Sequence, residues 1–344
     1  VRMSRSQVVV PLRGPEREPA QTACLNPASG ELLGYSPLDS LEDVHAAVAR
    51  GRRAQPAWAG LGVEARIRAV LKIRDHIVEH ADELAAIISR DNGKTRIDAM
   101  ATEVLAAALA ADYYAKNAKR FLADRWNRPG NPLLANKVSK ICRVPFGVVG
   151  IISPWNYPFN IPFSEVIMAL LAGNAVILKA ATETQMVARA LERCIHAGGL
   201  PEGVFTHLNV PGRVAGDAFL EAGIDKLFFT GSVPIGKKLM AKAAETLTPV
   251  SLELGGNDAM LVCEDADLDR AAGGATWAGL QNCGQSCGGV ERIYVHAKVY
   301  DGFMERLRQR VSLLRVGRDD DHRVDLGAMT TARQMDLVRE HIDD

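Results

Sequence analysis

From residue 145 onward the chain is punctuated by short apolar segments, each followed by a stretch long enough for one helix. The segments are 148–152, 175–179, 204–209, 226–229, 250–253, 260–263 and 292–295. A strand that leads through a helix into another strand returns parallel to the first. The rhythm therefore predicts an α/β fold: a doubly wound parallel sheet with helices on both faces. Few other architectures accept that alternation.

The first third of the chain has no such rhythm. Residues 1–20 are polar, contain Arg and Pro and lack a period, so a loose N-terminal arm is expected. Ser40-Leu41-Glu42-Asp43 resembles a helix N-cap with an acidic first turn, and Val44, Ala47 and Val48 follow at helical spacing. Apolar positions from Ile67 to Ile88 recur at helical period over 63–91, stopped by Asp91-Asn92-Gly93. A third helix is predicted over 95–121. Residues 123–144 hold the turn cluster Asn127-Arg128-Pro129-Gly130-Asn131-Pro132 between short mixed segments and read as a protruding hairpin.

Composition removes several function classes. Lys plus Arg and Asp plus Glu both number 41, so no global field draws the chain to nucleic acid or an anionic membrane. The longest apolar run, from 166 to 178, is interrupted by Gly173 and Asn174 and is shorter than the roughly 20 residues of a membrane span. Six cysteines without framework spacing suit a reducing, cytoplasmic setting. Cys283 and Cys287 are spaced like half a metal site, but no second Cys/His pair lies at suitable spacing, so no metal is expected.

Chemistry concentrates in three segments. Cys287 lies in Gly284-Gln285-Ser286-Cys287-Gly288-Gly289, and Glu253 in Glu253-Leu254-Gly255-Gly256. A thiol can attack a carbonyl carbon, and a carboxylate can activate water against the resulting thioester. Read singly, the cysteine is equally a small buried apolar residue and the glutamate a solvated charge. Asn156, between Pro154 and Pro158, offers an amide donor for an oxyanion, or only a structural side chain in a Pro-flanked loop. Phe229-Thr230-Gly231-Ser232 follows a strand and opens a helix with Gly236 five residues after Gly231. That suits a phosphate at a helix start, or an ordinary strand-turn-helix. Lys179 ends a strand, where it either grips ribose hydroxyls or extends into water.

Together, and in this order along the chain, Pro154-Trp155-Asn156, the Lys179 strand, Phe229-Thr230-Gly231-Ser232, Glu253-Leu254-Gly255-Gly256 and Gly284-Gln285-Ser286-Cys287 resemble the aldehyde dehydrogenase superfamily. The likeness runs from Asn26 to Met329. It implies oxidation of an aldehyde to a carboxylic acid with NAD(P)+, with Cys287 as nucleophile, Asn156 holding the oxyanion and Glu253 as general base. It further implies cofactor contacts at Ile152, Ser153, Pro154, Trp155, Lys179, Thr182, Gly212, Arg213, Gly216, Phe229, Thr230, Gly231, Ser232, Gly236, Leu254 and Gly255. Residues 21–122 with 145–254 would form the NAD(P)-binding domain. Hairpin 123–144 would serve oligomerisation, in a parent protein that is a homodimer or homotetramer, and 255–344 would begin the catalytic domain. Cys283 is expected to be a bystander.

The chain departs from the family pattern in places. Thr182 stands where many members have a glutamate that binds ribose hydroxyls and repels a 2′-phosphate, and Arg213 lies at the adenine-side loop. NADP is therefore expected to be tolerated or preferred. Asn257 replaces a lysine common after the Glu-Leu-Gly-Gly run. No Glu-x-Phe-Gly-Pro run occurs, so the resemblance implies an incomplete catalytic domain, with weak or no turnover for residues 1–344 alone. Two other readings stand beside oxidation to the acid: transfer of the acyl group to CoA, and a non-catalytic cofactor-binding relic.

Overall fold

The computed structural model describes residues 20–128, 130–319 and 321–343, so all but the last residue of the expected N-terminal arm lies outside the described residues. A hairpin of β1 (Gln21–Leu25) and β2 (Leu32–Pro37) comes first. Sequence reading missed it because its residues are mostly exposed and carry no clean alternation. Helices α1 (Leu41–Gly60), α2 (Gly62–Glu79) and α3 (Ala81–Asn92) follow. The cap expected at Ser40 is a full capping box: its hydroxyl accepts from the Asp43 N–H while the Asp43 carboxylate accepts from the Ser40 N–H. Gly93 closes α3 at φ 95°, a conformation that suits glycine.

The single helix expected over 63–91 is two, parted at His80. Hydrogen bonds from the His80 N–H to His76 and from the Leu84 N–H to His80 carry the helical period across the break, and no Gly or Pro marks it. The helix expected over 95–121 also differs. A single turn, α4 (Arg96–Asp98), passes into a π-helical turn at Ala99–Val104 and then into α5 (Leu105–Leu122). A π turn holds an extra residue, which changes the face the next side chains present. Glu103, inside it, is fully buried.

Strands β3 (Arg125–Asn127) and β4 (Ser139–Ile141) pair antiparallel as the expected hairpin, its residues largely exposed. Beyond it, β5 (Val148–Ile152), α6 (Asn160–Leu171), β6 (Ala175–Lys179), α7 (Gln185–His196), β7 (Phe205–Leu208), α8 (Gly212–Glu221), β8 (Lys226–Gly231), α9 (Val233–Ala244) and β9 (Val250–Leu254) alternate as the rhythm predicts. All five strands are parallel, in the order β7-β6-β5-β8-β9. Every residue of β5 and β6 is buried, as strands covered on both faces must be.

The two faces have separate cores. One packs α6 and α7 with α2, α3 and α5 through Ile73, Ile88, Phe163 and Leu191; the other packs α8 and α9 with the start of α1 through Val44, Phe219 and Leu239. Each such aliphatic or aromatic side chain contributes about 1.5–3 kcal/mol by burial. Because the chain winds away from β5 in both directions, a crevice opens between the C-terminal ends of β5 and β8.

After β9 come β10 (Asp258–Val262), α10 (Leu268–Leu280), β11 (Val290–Val295), α11 (Tyr300–Ser312) and α12 (Ala332–Asp343). β10 and β11 form a parallel pair with a small core of Val262, Ala272, Ala275 and Phe303. Among the described residues, no helix is long and apolar enough to cross a membrane.

Candidate active site

A cleft of about 340 Å³ lies at that crevice. Its walls come from the loop after β5 (Pro154, Trp155, Asn156), the end of β8 and the turn after it (Thr230, Gly231, Ser232), the end of β9 (Glu253, Leu254, Gly255), the loop Gly284–Cys287 and Gln334. The three residues expected to do chemistry thus share one cavity, although they lie far apart in sequence. Cys287 is exposed to it.

The Asn156 amide is fixed at both ends. Its Oδ1 accepts from the Tyr157 N–H at 3.1 Å, and its Nδ2 donates to the Gln285 carbonyl at 3.0 Å. An amide nitrogen has two hydrogens, so this bond orients the group and leaves a second donor for a ligand. The Asn156 carbonyl accepts from Lys94 Nζ and Asn282 Nδ2, each at 2.9 Å. Lys94 in turn donates to Glu103 at 2.6 Å with both side chains fully buried, and it lies 4.2 Å from the Tyr157 ring centroid. The second Glu103 oxygen accepts from the N–H groups of Phe159 and Asn160, satisfying the start of α6. Burial pushes the Lys94 pKa down and the Glu103 charge opposes that shift.

The nucleophile loop is strained and then tied down. Asn282 and Cys283 sit at φ 50° and 56°, left-handed values that cost a non-glycine residue on the order of 1 kcal/mol or more. The Asn282 N–H donates to Asp98 at 3.3 Å, Gln285 Nε2 donates to the Asn282 carbonyl at 2.9 Å, and the Cys283 thiol donates to the Gly327 carbonyl at 3.2 Å. Gln285 Oε1 accepts from the Thr330 N–H at 2.9 Å, Thr330 Oγ1 donates to the Asn92 carbonyl at 2.8 Å, and Asn92 Nδ2 donates to the Trp155 carbonyl at 2.8 Å. Burial pushes the Cys283 thiol up to about 11, so at neutral pH it is no nucleophile.

The residues expected to hold a cofactor divide into groups. Pro154, Trp155, Thr230, Gly231, Ser232, Leu254 and Gly255 line the cleft. Ile152 and Lys179 end their strands, and Phe229 lies two residues before the end of β8; Ile152 is in register with both others, and the buried Ser153 donates its N–H to the Lys179 carbonyl. Burial pushes the Lys179 pKa down, and the nearby Glu183 charge acts against it. Thr182 opens a short 3-10 turn and is half-buried, while Gly212 and Arg213 begin α8 and are exposed. A Cβ at Gly212 would lie 3.6 Å from Lys179 Nζ, so this group runs along the sheet's C-terminal edge from β6 toward α8. Gly216 and Gly236 pack inside the fold instead. A Cβ there would meet Leu239 at 2.1 Å and Leu254 at 2.8 Å respectively.

Sequence reasoning missed Asn92, Lys94, Glu103, Asn282, Gln285 and Thr330. Asp91-Asn92-Gly93 was legible only as a helix stop, and that masked the buried lysine behind it. The available signal was Glu103, a lone charge within Ala99-Met100-Ala101-Thr102-Glu103-Val104.

Comparison with known proteins identifies the family. The model described as the aldehyde dehydrogenase family matches residues 15–344. The chain is 36% identical over 331 residues to the 4,4'-diapolycopene aldehyde oxidase of Methylomonas sp, covering 94% of this chain and 60% of that protein. It is 36% identical over 320 residues to the NADP(+) succinate-semialdehyde dehydrogenase of Escherichia coli, covering 93% of this chain and 65% of that protein. A crystal structure of an aldehyde dehydrogenase from Brucella melitensis biovar abortus superposes with a TM-score of 0.90 at 34% identity, over 94% of this chain and 66% of that one. The chain therefore spans less than two thirds of the length of these proteins. It belongs to the aldehyde dehydrogenase family.

Proposed function

We propose that this chain carries the catalytic centre of an NAD(P)-dependent oxidation of an aldehyde to a carboxylic acid. The observation that carries the reading is the single cleft at the sheet's crevice, which holds Cys287, Glu253 and Asn156 together. The Cys287 sulfur, as thiolate, attacks the aldehyde carbon. The free N–H of Asn156 faces the developing oxyanion, which a preorganised donor stabilises more than it stabilises the ground-state carbonyl. Once hydride has left the substrate carbon, Cys287 holds a thioester. Glu253 removes a proton from water, water oxygen bonds to the carbonyl carbon, the carbon–sulfur bond breaks, and the acid departs.

The surroundings fit a dinucleotide. The Ser232 side chain caps no N–H at the start of α9, so the first-turn N–H groups beside Gly231 stay open to phosphate oxygens. Ser153, Pro154, Trp155, Lys179 and Thr182 border the same edge, and Leu254 and Gly255 lie across the cleft. NAD(P)+, when bound, accepts the hydride. Thr182 in place of a carboxylate and the exposed Arg213 favour acceptance of the 2′-phosphate of NADP, and the Escherichia coli relative's name specifies NADP(+). The hairpin of β3 and β4 is proposed as an assembly surface, on the exposure of Trp126 (65%), Leu133 (88%) and Ile141 (50%).

An aldehyde panel with NAD+ and NADP+, followed by reduced-nicotinamide absorbance, tests the activity and the preference together. A strong preference for NAD+ would reject the Thr182–Arg213 reading. Glu253→Ala should keep a single-turnover burst while steady-state turnover falls roughly 10²–10⁴-fold. Loss of the burst as well would place Glu253 before the thioester and break the proposed order of steps.

A further inference from the structure

Glu165 lies on α6 beneath the cleft, with 7% of its surface exposed. Its Oε1 accepts from Thr230 Oγ1 at 3.3 Å, whereas Oε2 and the neighbouring buried Ser153 Oγ are both left without a partner in hydrogen-bond geometry. Thr230 lines the cleft and stands in register with Glu253 on the adjacent strand. A buried carboxyl is thus joined through one hydroxyl to the strand position that carries the proposed base. We propose that Glu165 is a positioning residue for Glu253: a second carboxyl held uncharged under the cleft floor, so that Glu253 alone carries negative charge there. This rests on the reading of Glu253 as the hydrolytic base.

Burial lifts the Glu165 pKa to about 8; the Thr230 hydrogen bond lowers it, the Glu253 charge raises it and the nearby Ser153 hydroxyl lowers it. The other charged groups on elements packed around α6 are engaged elsewhere. Glu103 is bonded to Lys94 and to the first turn of α6, Arg66 from α2 donates to the Leu171 carbonyl at the far end, and Lys179 on β6 responds to Glu183. On α5, Asp112 pairs with Arg74 and Lys116, and Lys119 pairs with Glu64. Among the described residues no cation shifts the Glu165 titration, and a neutral acid can donate its own proton, as a carboxylate cannot. Above about pH 8 the group ionises. A second negative charge then opposes both the Glu253 carboxylate and the oxyanion of the deacylating intermediate.

Glu165→Gln keeps the shape and a donor but cannot ionise. For the wild type, the folded pKa lies above the unfolded value. Its stability should therefore fall relative to Glu165→Gln as pH rises from about 4.5 to about 8, and level off above that. A Tm difference that stays constant from pH 5 to pH 9 would overturn the neutral acid. In turnover, wild-type kcat should decline above pH 8 while Glu165→Gln shows no decline, with equal rates near pH 6.5. Parallel profiles in an active enzyme would overturn the link to Glu253 alone. A protein of its relatives' full length that carries this site yet oxidises no aldehyde would overturn the functional reading, and the link with it. Should Glu165→Gln fail to fold, Thr230→Val keeps the carboxyl but removes a bond that lowers its pKa. The alkaline decline should then move to higher pH, and an unmoved decline counts against the proposal.

Discussion

The five-stranded sheet and the pair of strands after it were built by the same alternation, yet they hold their side chains differently. In β5 and β6 every residue is buried, whereas β10 and β11 leave Leu261 at 72% and Tyr294 at 54% exposure. The sheet has a core on each face; the pair has one small core. Asn156 and Glu253 stand on the firm side of this divide and Cys287 on the loose side. The nucleophile loop is consequently placed less by its own packing than by hydrogen bonds that link it to Asp98, Asn156, Gly327 and Thr330. Precision at the cleft is borrowed from the helical block.

If so, the largest loss should come from the buried pair behind the Asn156 loop, through which the helical block holds the cleft. Lys94→Met leaves Glu103 charged and unpaired in the interior, at an expected cost of about 3–5 kcal/mol in denaturant unfolding. A cost below about 1 kcal/mol would show that the pair is not needed to anchor the Asn156 loop. The contrast between the two sheets is sharpened by matched truncations. Ile151→Ala in β5 should cost about 2–5 kcal/mol, against no more than about 0.5 kcal/mol for Leu261→Ala in β10. Equal costs would erase the distinction drawn above. Thr330→Ala removes a hydroxyl that both donates to the Asn92 carbonyl and accepts from its amide, and should cost about 1 kcal/mol. It should nevertheless change the alkylation rate of Cys287, since Thr330 and the nucleophile loop share Gln285. An unchanged rate would mean that the loop holds its geometry unaided.

Much of this was legible before any coordinates. The parallel sheet follows from strand spacing, the caps at Ser40 and Gly93 from residue type, and the cleft membership of Cys287, Glu253 and Asn156 from motif order. What escaped was non-local. The break at His80 leaves the helical period intact, so periodicity cannot report it. The π turn is one residue out of step within an Ala-rich helix, and only the position of Glu103 betrays it. Nothing local in the sequence marks Glu165, because its burial depends on β5 and β8 closing over it. Sequence shows which residues can do chemistry more readily than it shows which ones hold them still.

The seal between Asn92 and Thr330 joins residues 238 apart in sequence, and Asn156 meets Gln285 across 129. Closing loops of that length costs entropy before the contacts repay it, so the cleft is expected to close after the local helices form. The cleft is then the last part of the molecule to become itself. A chain halted short of that point would give the helical signal of a folded protein while its thiol remained in an unformed loop. Cys287 reactivity, more than secondary-structure content, is the measure of when folding is finished.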